Sequence, residues 1–442
     1  MENCEILIIG GGPAAITIAK NIQSKKEVTI IRPEDHSMIY CAMPYAIEKI
    51  LSVEKTLKSD NIVTETGARL IRDYVENVDF NTKVVTTKNG DFYTYEKLII
   101  ATGAEPVVPP IEGFNLKNVM SFKSEEDLKH VMDLVDKGLK EAVVVGAGAI
   151  GIELTQALNK RNVKTFLVDM LPTILPNMMD GQLMYEVQEK LADSGVILKL
   201  ENKVTSLKGE NHVEEVALEN GEPIKFDSEP LIVFAVGMKP SVEIFKDTEL
   251  EIGRTGIIVN DKMETNIPDV YAVGDCIAFN NAITGDIGLG KLATNAVPMG
   301  KLLAKNLLGE DRKYEGFYNG AATKVVDYFV GSTGLSEKTA TKKGYDIVIG
   351  TAKFTTAFPV MPFAKEIEVK LIFNKENKKI LGGQVVSGEP VTDKVDQITM
   401  AVQFGITVDQ LVQFSYASQP YQSFYPANNL LVHASEQALK QF

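Results

Sequence analysis

The 442-residue sequence lacks tryptophan altogether and has only four histidines and three cysteines, Cys4, Cys41 and Cys276. These cysteines lie far apart without a C-x-x-C pair, which excludes a disulfide framework and a cysteine zinc site. No apolar run reaches the ~20 residues that a membrane-spanning helix requires. The first residues, MENCEILIIGGG, do not form a signal-peptide pattern. We therefore predict a cytoplasmic protein that has no membrane partner and no metal centre.

The sequence also has fewer basic than acidic residues. Lys and Arg number 46 against 59 Asp and Glu, so the formal net charge is -13. Because nucleic-acid phosphates require a basic surface, this balance argues against a nucleic-acid partner. The composition, 45% hydrophobic and 24% charged, is typical of a globular enzyme. A chain of this length exceeds what one core supports and should form about three domains.

Two glycine-rich segments each follow a short apolar run and lead into a helical pattern. The first is EILIIGGGPAAITIAKNIQ and the second is EAVVVGAGAIGIELTQAL. The G-x-G-x-x-[GA] positions are Gly10, Gly12 and Ala15 in the first segment and Gly146, Gly148 and Gly151 in the second. Small residues at this spacing permit a tight turn, close backbone approach to a pyrophosphate and close helix packing. The helix N-terminus then favours the phosphate charge, so the two segments predict two dinucleotide sites.

The residue expected to contact the adenosine ribose differs between the two units. Asp169 follows Gly146 by 23 residues, at the end of the next apolar run, VKTFLVDM. A carboxylate there accepts from the ribose 2′-OH and repels a 2′-phosphate, which favours NADH over NADPH. In the first unit the same place holds Arg32, followed by Glu34 and Asp35. One of these acids is the candidate ribose ligand, and a solvated charge cluster is the alternative.

Three further segments accompany the two fingerprints: LIIATGAEP at 98–106, FAVGMKP at 234–240 and TNIPDVYAVGDC at 265–276. With these motifs in this order, the sequence resembles the pyridine nucleotide-disulfide oxidoreductase family over essentially the whole chain. The resemblance implies an α/β fold with separate Rossmann-like domains for FAD and NAD(P)H, an α+β C-terminal dimerisation domain, and hence a homodimer. The implied domains are 1–110 with 241–324 for FAD, 111–240 for NAD and 325–442 for dimerisation.

The resemblance also implies which residues contact the cofactors. Those expected to bind FAD are Gly10, Gly12, Pro13, Ala14, Ala15, Arg32, Glu34, Ala101, Thr102, Gly103, Gly274, Asp275, Ala293 and Thr294. Those expected to bind NADH, or alternatively NADPH, are Gly146, Gly148, Ala149, Ile150, Gly151, Asp169, Val236 and Gly237. Among them, Asp275 should hydrogen-bond the ribityl chain or the phosphates of FAD.

Cys41, in SMIYCAMPY, is the candidate redox residue. A free cysteine is by default a small, buried packing residue. In the subgroup that this chain resembles, however, a single cysteine follows the loop after the second strand and lies near the flavin. No second cysteine stands four or five residues on, as two-cysteine reductases require. The resemblance therefore predicts a redox thiol, because reduced flavin can transfer two electrons to a nearby sulfur.

Two chemistries compete within this subgroup. NADH oxidases and peroxidases oxidise the cysteine to a sulfenic acid and usually carry a histidine in the first glycine turn, where this chain has Pro13. The segment CAMPY instead resembles the Cys-x-x-Pro-Tyr of coenzyme A-disulfide reductases and persulfide or polysulfide reductases. We therefore favour reduction of a sulfur–sulfur bond, with an oxidase or peroxidase as the alternative. Ala149, Met361 and Phe363 depart from the pattern, because relatives have tyrosine at the corresponding places.

Three further residues are candidates for catalysis. In relatives, a Tyr-x-Pro-x-Tyr-like segment of one subunit reaches the other subunit's cysteine site. The resemblance therefore implies that Tyr416 or Tyr421, in FSYASQPYQSFYP, fills that place and donates a proton to the departing thiolate. Packing in the dimer interface is the alternative for both tyrosines. The resemblance also implies that Glu153, in the GIE segment, lies beside the nicotinamide and flavin as a glutamate of relatives does. The alternative is a first-turn acid that complements the helix dipole.

The electron acceptor stays open at this stage. Coenzyme A would need basic residues near the site, and Lys20, Lys25 and Lys26 are candidates unless they form a solvated face. Two further alternatives are a reductase of an electron-transfer protein such as rubredoxin, with Cys41 silent, and a nucleotide sensor without enzymatic activity. NADH consumption with each acceptor in turn separates these possibilities.

Overall fold

A computed structural model of the protein describes residues 2–288 and 290–442. The chain forms two compact units. Unit 1 consists of the chain up to Val107, Lys123–Glu125 and Gly237–Phe317, and unit 2 consists of Val108–Phe122, Glu126–Val236 and Tyr318–Phe442. No helix among the described residues is both long enough and apolar enough to span a membrane.

The first 236 residues contain seventeen strands and six α-helices in the described part of the chain. The strands are β1 (Glu2–Ile9), β2 (Val28–Arg32), β3 (Ser37–Met38), β4 (Leu57–Lys58), β5 (Arg69–Arg72), β6 (Val75–Asp79), β7 (Val84–Thr87), β8 (Phe92–Ile100), β9 (Ala104–Pro106), β10 (Val119–Ser121), β11 (Glu141–Val145), β12 (Lys164–Val168), β13 (Ile197–Lys199), β14 (Val204–Lys208), β15 (Glu215–Leu218), β16 (Ile224–Lys225) and β17 (Leu231–Phe234). The helices are α1 (Pro13–Ile22), α2 (Met43–Ile47), α3 (Asn61–Thr64), α4 (Glu125–Asp136), α5 (Ala149–Lys160) and α6 (Tyr185–Asp193).

The remaining residues continue the same order of elements. The strands are β18 (Met238–Pro240), β19 (Ile252–Gly253), β20 (Gly256–Ile257), β21 (Val270–Ala272), β22 (Phe279–Asn280), β23 (Ile287–Gly288), β24 (Ala321–Val325), β25 (Tyr328–Gly334), β26 (Ile347–Thr355), β27 (Glu366–Asn374) and β28 (Ile380–Ser387). The helices are α7 (Ala293–Leu307), α8 (Glu337–Lys342), α9 (Thr392–Gln403), α10 (Val408–Leu411) and α11 (Leu430–Leu439).

Unit 1 is built on a parallel sheet in the order β5-β2-β1-β8, with β21 pairing in parallel at the end of β8. Strands β7 and β6 extend the other end of β8 in antiparallel fashion. The central strands β1 and β8 end in buried apolar runs, at 6–9 and 98–100, as expected where a parallel sheet is covered on both faces. Helix α1 packs against α7, where Gly300 allows close approach, since an added Cβ would lie 2.8 Å from the Ala14 carbonyl oxygen.

Unit 2 contains a second parallel sheet, ordered β10-β17-β11-β12-β13, with α5 following β11. A three-stranded antiparallel sheet, β14-β15-β16, is inserted in the chain between β13 and β17. The C-terminal part forms a five-stranded antiparallel sheet, β24-β25-β28-β27-β26, against which α9 and α11 pack. The structure therefore confirms the predicted α/β class, with two strand-turn-helix nucleotide units and an α+β C-terminal part.

Candidate functional site

The first glycine turn connects β1 to α1 at the carboxyl end of the unit 1 sheet. Gly10 has φ of +109°, and a side chain there would overlap the carbonyl of Ala101 in the neighbouring strand end. An added Cβ on Gly12 would meet nothing within 4 Å, so the backbone at the helix start borders open space. Pro13 is the first residue of α1. This geometry leaves free helix N–H groups beside a cradle that fits a pyrophosphate.

The VGD segment lies beside this turn. Gly274 has φ of +78°, and an added Cβ there would come within 3.4 Å of the Ala14 side chain. Asp275 follows in a 3-10 turn, and its Oδ1 is buried without a hydrogen-bond partner among the described residues. Burial raises the pKa of Asp275, opposed by the charges of Lys291 and Lys123. An orphaned buried acceptor needs a donor, and the hydroxyls of the FAD ribityl chain are such donors, so the residues fit the cofactor.

The remaining residues predicted for FAD lie around the same edge. Ala101 is buried, Gly103 has φ of +74°, and the Thr102 hydroxyl donates to the Ser241 carbonyl at 2.6 Å. Ala293 and Thr294 form the exposed first turn of α7. The structure thus brings three separate segments together with the first glycine turn. That these residues contact FAD stays a prediction.

Arg32 and Glu34, the candidates on the ribose side, lie in opposite environments. The Arg32 side chain is 1% exposed, and its guanidinium donates to Ser37 and Asp60 beneath the glycine turn. Its Nε is buried without a partner among the described residues, which leaves one donor for a ligand. Glu34 is exposed. Asp35 is exposed as well, so the choice between these two acids as the ribose ligand stays a prediction.

Cys41 lies in a 3-10 turn, Tyr40–Ala42, that leads directly into α2. It is exposed, whereas Cys4 and Cys276 are buried, and all three are free thiols. Burial raises the pKa of both Cys4 and Cys276, which keeps them as inert thiols. The default reading of Cys41 as a buried packing residue is therefore wrong, because its turn presents the side chain at the surface.

Lys123 also lies in this region, although no motif in the sequence predicts a site residue there. Its Nζ lies 5.3 Å from the centroid of the Tyr40 ring and donates to the Ala104 carbonyl. Burial lowers the pKa of Lys123, opposed most by Asp275 and then by Glu34. The side chain therefore places a cation between the VGD segment and the turn that carries Cys41. Lys123 belongs to no motif, so no local signal in the sequence could have identified it.

The second glycine turn, in unit 2, repeats the geometry of the first. Gly146 has φ of +109° and a side chain there would overlap the Ala235 carbonyl, while Gly148 again borders open space. A side chain at Gly151 would overlap the Gly146 carbonyl. Ala149 and Ile150 are exposed at the start of α5. The turn is therefore as well shaped for a dinucleotide phosphate as the first.

Asp169 is held against this turn at the end of β12. One carboxylate oxygen accepts from the Ala147 backbone N–H at 2.7 Å and the other accepts from Leu171 at 2.8 Å. Each oxygen keeps a second lone pair, so the carboxylate can still accept from a ribose hydroxyl. Val236 and Gly237 were also predicted to bind NADH. Val236 is exposed and is the last residue of its segment of unit 2, and Gly237 is the first residue of the last segment of unit 1.

Glu153 is on α5, five residues into the helix, and outside its first turn. It is partly buried, and its Oε1 accepts a hydrogen bond of 2.7 Å from the Thr323 hydroxyl of β24. Burial raises the pKa of Glu153, and the Thr323 hydrogen bond partly opposes that shift. The alternative of a first-turn acid that complements the helix dipole is therefore wrong. Thr323 was not predicted, because nothing in the sequence connects it with Glu153.

The C-terminal tyrosines lie in an aromatic cluster. The Tyr416 hydroxyl donates to the Pro426 carbonyl at 2.7 Å, so its proton is committed. The Tyr421 ring is 67% exposed and lies 4.7 Å from the Phe363 ring. Its hydroxyl has no hydrogen bond within the described part of the chain. Of the two candidates, Tyr421 is therefore the available proton donor.

The candidate coenzyme A lysines lie on or just after α1. Lys20 and Lys25 are exposed, and Lys26 pairs with Glu5 at 2.5 Å. The ion pair and the exposure are those of a solvated face. Elsewhere, no group of three or more His, Cys, Asp or Glu side chains in the described residues is placed to hold a metal ion.

Comparison with known proteins finds relatives along nearly the whole chain. The family model described as pyridine nucleotide-disulphide oxidoreductase matches residues 4–300, and the dimerisation domain of the same family matches 321–425. The chain is 33% identical to an NADH oxidase of Methanocaldococcus jannaschii, over 98% of both chains. It is 30% identical to an NAD(P)H coenzyme A polysulfide/persulfide reductase of Pyrococcus horikoshii, over 91% of this chain and 92% of that protein. The solved structure of an NAD-dependent persulfide reductase from A. fulgidus matches with a TM-score of 0.93 and 26% identity, covering 99% of this chain and 83% of that one.

Proposed function

The chain belongs to the pyridine nucleotide-disulphide oxidoreductase family, and on that premise we propose that it reduces a disulfide, persulfide or polysulfide with electrons from NADH by way of Cys41. It is an FAD-dependent NAD(P)H oxidoreductase, as this family is. The observation that carries the proposal is the exposure of Cys41 while the other two cysteines are buried. The similarity to the Pyrococcus horikoshii reductase supports a sulfur acceptor.

Each cofactor has a set of residues that fits it. Bound FAD supplies hydride acceptance from the nicotinamide and two-electron reduction of sulfur. The turn at Gly10 and Gly12 would hold its pyrophosphate, the orphaned Asp275 carboxylate its ribityl hydroxyls, and Glu34 its ribose. The turn that begins at Gly146, with the Asp169 carboxylate, would hold NADH in the same way.

Cys41 performs the exchange with the acceptor. Its thiolate attacks one sulfur of the acceptor R–S–S–R, forms the mixed disulfide Cys41–S–S–R and releases R–S⁻. Two electrons, supplied in the end by NADH, then cleave the mixed disulfide into the Cys41 thiolate and a second R–S⁻. With the two protons that the thiolates take up, NADH and H⁺ are consumed for each R–S–S–R. We assign the Tyr421 hydroxyl as the donor to a departing thiolate, because the proton of Tyr416 is committed to Pro426.

The test is the variant Cys41→Ser. We expect it to retain bound FAD and still to be bleached by NADH, because the residues that hold the two cofactors are unchanged. Turnover of disulfide or persulfide acceptors should be lost, because an alcohol cannot form the mixed disulfide. Flavin absorbance measures the reduction of FAD by NADH, and NADH consumption with acceptor present measures acceptor turnover. Full acceptor turnover in this variant would contradict the proposal.

NADH oxidase activity is the second candidate function. It is favoured by the 33% identity to the NADH oxidase of Methanocaldococcus jannaschii. The first glycine turn argues against it, because Pro13 stands where these oxidases usually carry a histidine. Oxygen uptake by the wild type and by Cys41→Ser, measured without a sulfur acceptor, decides between them. Oxygen consumption that depends on Cys41 and exceeds sulfur turnover would establish the oxidase.

We also propose that the protein is a homodimer of the cytoplasm. The dimerisation domain match supports the dimer, and a catalytic thiol that must stay reduced fits a reducing compartment. The proposed domains are those given by the sequence: 1–110 with 241–324 for FAD, 111–240 for NAD and 325–442 for dimerisation. Coenzyme A is one candidate carrier of the sulfur acceptor.

A further inference from the structure

A compact ion cluster lies at the base of the segment that connects β2 to Cys41. We call Arg32, Ser37, Asp60 and Arg72 the base cluster. Arg32 donates to the Ser37 hydroxyl and to one carboxylate oxygen of Asp60, and Arg72 donates to the other oxygen. Both arginines also donate to the Asp35 carbonyl, at 3.4 and 3.2 Å. The two arginines therefore bind the segment 33–37, through Ser37 and the Asp35 carbonyl, and connect it to Asp60.

The base cluster reaches the first glycine turn as well. The Ser37 hydroxyl, which accepts from Arg32, donates to the Gly11 carbonyl at 3.1 Å. The Arg32 stem lies directly under Gly11, where an added Cβ would overlap its Cδ. One guanidinium therefore holds both the turn predicted to bind the FAD pyrophosphate and the segment that leads to Cys41.

The same segment is anchored along its length. Strand β3 pairs with β4 in register Ser37 to Lys58, and the Ile39 N–H donates to the Thr56 carbonyl at 2.7 Å. Cys41 follows Ser37 by four residues, so at most about 14 Å of chain separates the cluster from the thiol. Ile39 lies between them and accepts from the Ala42 N–H at 2.9 Å, so we expect a displacement of Ser37 and its strand to shift the turn that carries Cys41.

Loss of these contacts would be energetically costly, because the Arg32 charge is buried. The Arg32 side chain is 1% exposed, and a buried charge is stable only when it is paired and hydrogen-bonded. Asp60 is its ionic partner. Any other path of segment 33–37 would remove the Ser37 and Asp35 acceptors and leave buried donors unsatisfied. The cluster thus favours the conformation of segment 33–37 in which these contacts form.

From these contacts we propose that the base cluster is a positioning device that fixes Cys41 relative to the flavin-binding turn. Arg32 stands at the end of β2, where the dinucleotide fingerprint would have a ribose-binding acid. Its structural role in the base cluster explains why an arginine is found at this position. The proposal rests on the proposed function for the role of Cys41, because positioning matters only if this thiol exchanges electrons. Misplacement of a reacting group by about 1 Å can lower a rate by about a hundredfold.

The experiment compares Asp60→Asn and Ser37→Ala with the control Asp269→Asn in the FAD-loaded protein. Asp269 also bridges two cations, Lys83 and Lys97, in the same unit, at 2.6 and 2.5 Å. It has φ of +66°, which asparagine tolerates. Ser37→Ala guards against misfolding, because it removes only the two hydrogen bonds of one hydroxyl, with Arg32 and with Gly11, while leaving the Arg32 charge paired with Asp60.

Three rates are measured: flavin bleaching by NADH, turnover of the sulfur acceptor, and alkylation of Cys41 by iodoacetamide. Alkylation reports Cys41 because the other two cysteines are buried. In both cluster variants we expect acceptor turnover to fall about ten- to hundredfold relative to the rate of flavin bleaching in the same protein, and Cys41 to be alkylated several times faster.

Two results would overturn the proposal. One is cluster variants that match Asp269→Asn in all three rates. The other is loss of FAD with an unchanged alkylation rate, which would mean that the cluster supports the cofactor turn alone. Failure of the proposed function is recognised separately, because Cys41→Ser would then keep its turnover, while the alkylation rates would still report the position of the segment.

Discussion

At the scale of the residue, environment rather than type decides what each cysteine can do. Cys276 directly follows Asp275, yet its thiol is buried and donates to the backbone carbonyls of Val273 and Ile100. Cys4 is buried within β1. Cys41 alone of the three is exposed, in a turn whose neighbours place it there. Accessibility to an incoming disulfide follows from this difference.

A residue-scale prediction concerns the choice between NADH and NADPH. We expect Asp169→Ser combined with Met170→Arg to raise the ratio of kcat/KM for NADPH over NADH by about ten- to hundredfold, because the repelling carboxylate is replaced by a cation. Met170 is suitable because it is 61% exposed beside Asp169. Initial rates with both cofactors measure the ratio.

Met170→Arg alone is the matched control for this double variant. Serine can still accept from the Ala147 N–H that Asp169 holds, so the turn should persist. An unchanged cofactor ratio in the double variant would show that Asp169 does not contact the ribose.

At the scale of the element, helix α5 is docked onto strand β24 through two side chains. Glu153 accepts from Thr323, as described above. One turn later, the Gln156 side chain donates to the Lys324 carbonyl at 3.0 Å and accepts from the Val326 N–H at 2.5 Å. Val326 has φ of +53°, a strained conformation for a β-branched residue. The helix that begins at the second glycine turn is therefore held by the C-terminal sheet.

The Glu153 contact predicts a pH dependence of stability. Because burial raises the native pKa of Glu153 above its ordinary value of 4.5, the native state binds this proton more tightly than the unfolded state. Its contribution to stability is therefore full below pH 4.5 and is lost as the pH rises through the native pKa. Unfolding midpoints at a series of pH values measure this loss.

Two variants separate the carboxyl from its partner. Glu153→Gln should remove this part of the pH dependence, because the amide does not titrate. Thr323→Val should extend the loss to higher pH, because the hydrogen bond that lowers the pKa is gone. A Glu153→Gln profile that parallels the wild type would show that another group is responsible.

At the scale of the whole molecule, several aromatic side chains of the C-terminal part are exposed. Phe404, Tyr421 and Tyr425 are among its exposed aromatics. This part matches the family's dimerisation domain. A second copy of the chain is therefore the partner that we expect to cover these aromatic side chains.

The dimer predicts complementation between two defective subunits. If Tyr421 of one subunit serves Cys41 of the other, a mixed dimer of Cys41→Ser and Tyr421→Phe contains one complete site. Equal mixing and random pairing make half of the dimers mixed, so about a quarter of wild-type acceptor turnover should return. Activity after joint refolding or co-expression measures it.

Each variant alone provides the baseline for the mixture. Cys41→Ser should be inactive, and Tyr421→Phe should be slowed about ten- to hundredfold by loss of a general acid. Activity of the mixture no greater than the average of the two baselines would contradict this arrangement. It would mean either that each subunit completes its own site or that Tyr421 has only a packing role.

Much of the fold and part of the site could be predicted from the sequence. The two strand-turn-helix units, the family and the α/β class are confirmed, because each depends on residues that are close in the chain. The predicted cofactor contacts stay predictions, although the structure brings the segments at Gly10, Ala101 and Asp275 together. Lys123 and Thr323 could not be predicted, because neither belongs to a local pattern.

By itself, the sequence determined where the chain must turn tightly and which chemistry the single loop cysteine offers, because glycine spacing and side-chain type act within a few residues. Only the tertiary structure decided which cysteine is exposed, that Arg32 is internal and that Glu153 has a partner. Arg32 and Asp60 are 28 residues apart, and Glu153 and Thr323 are 170 apart. Burial and ion pairing depend on which distant segments the fold brings together, and no local pattern contains that information.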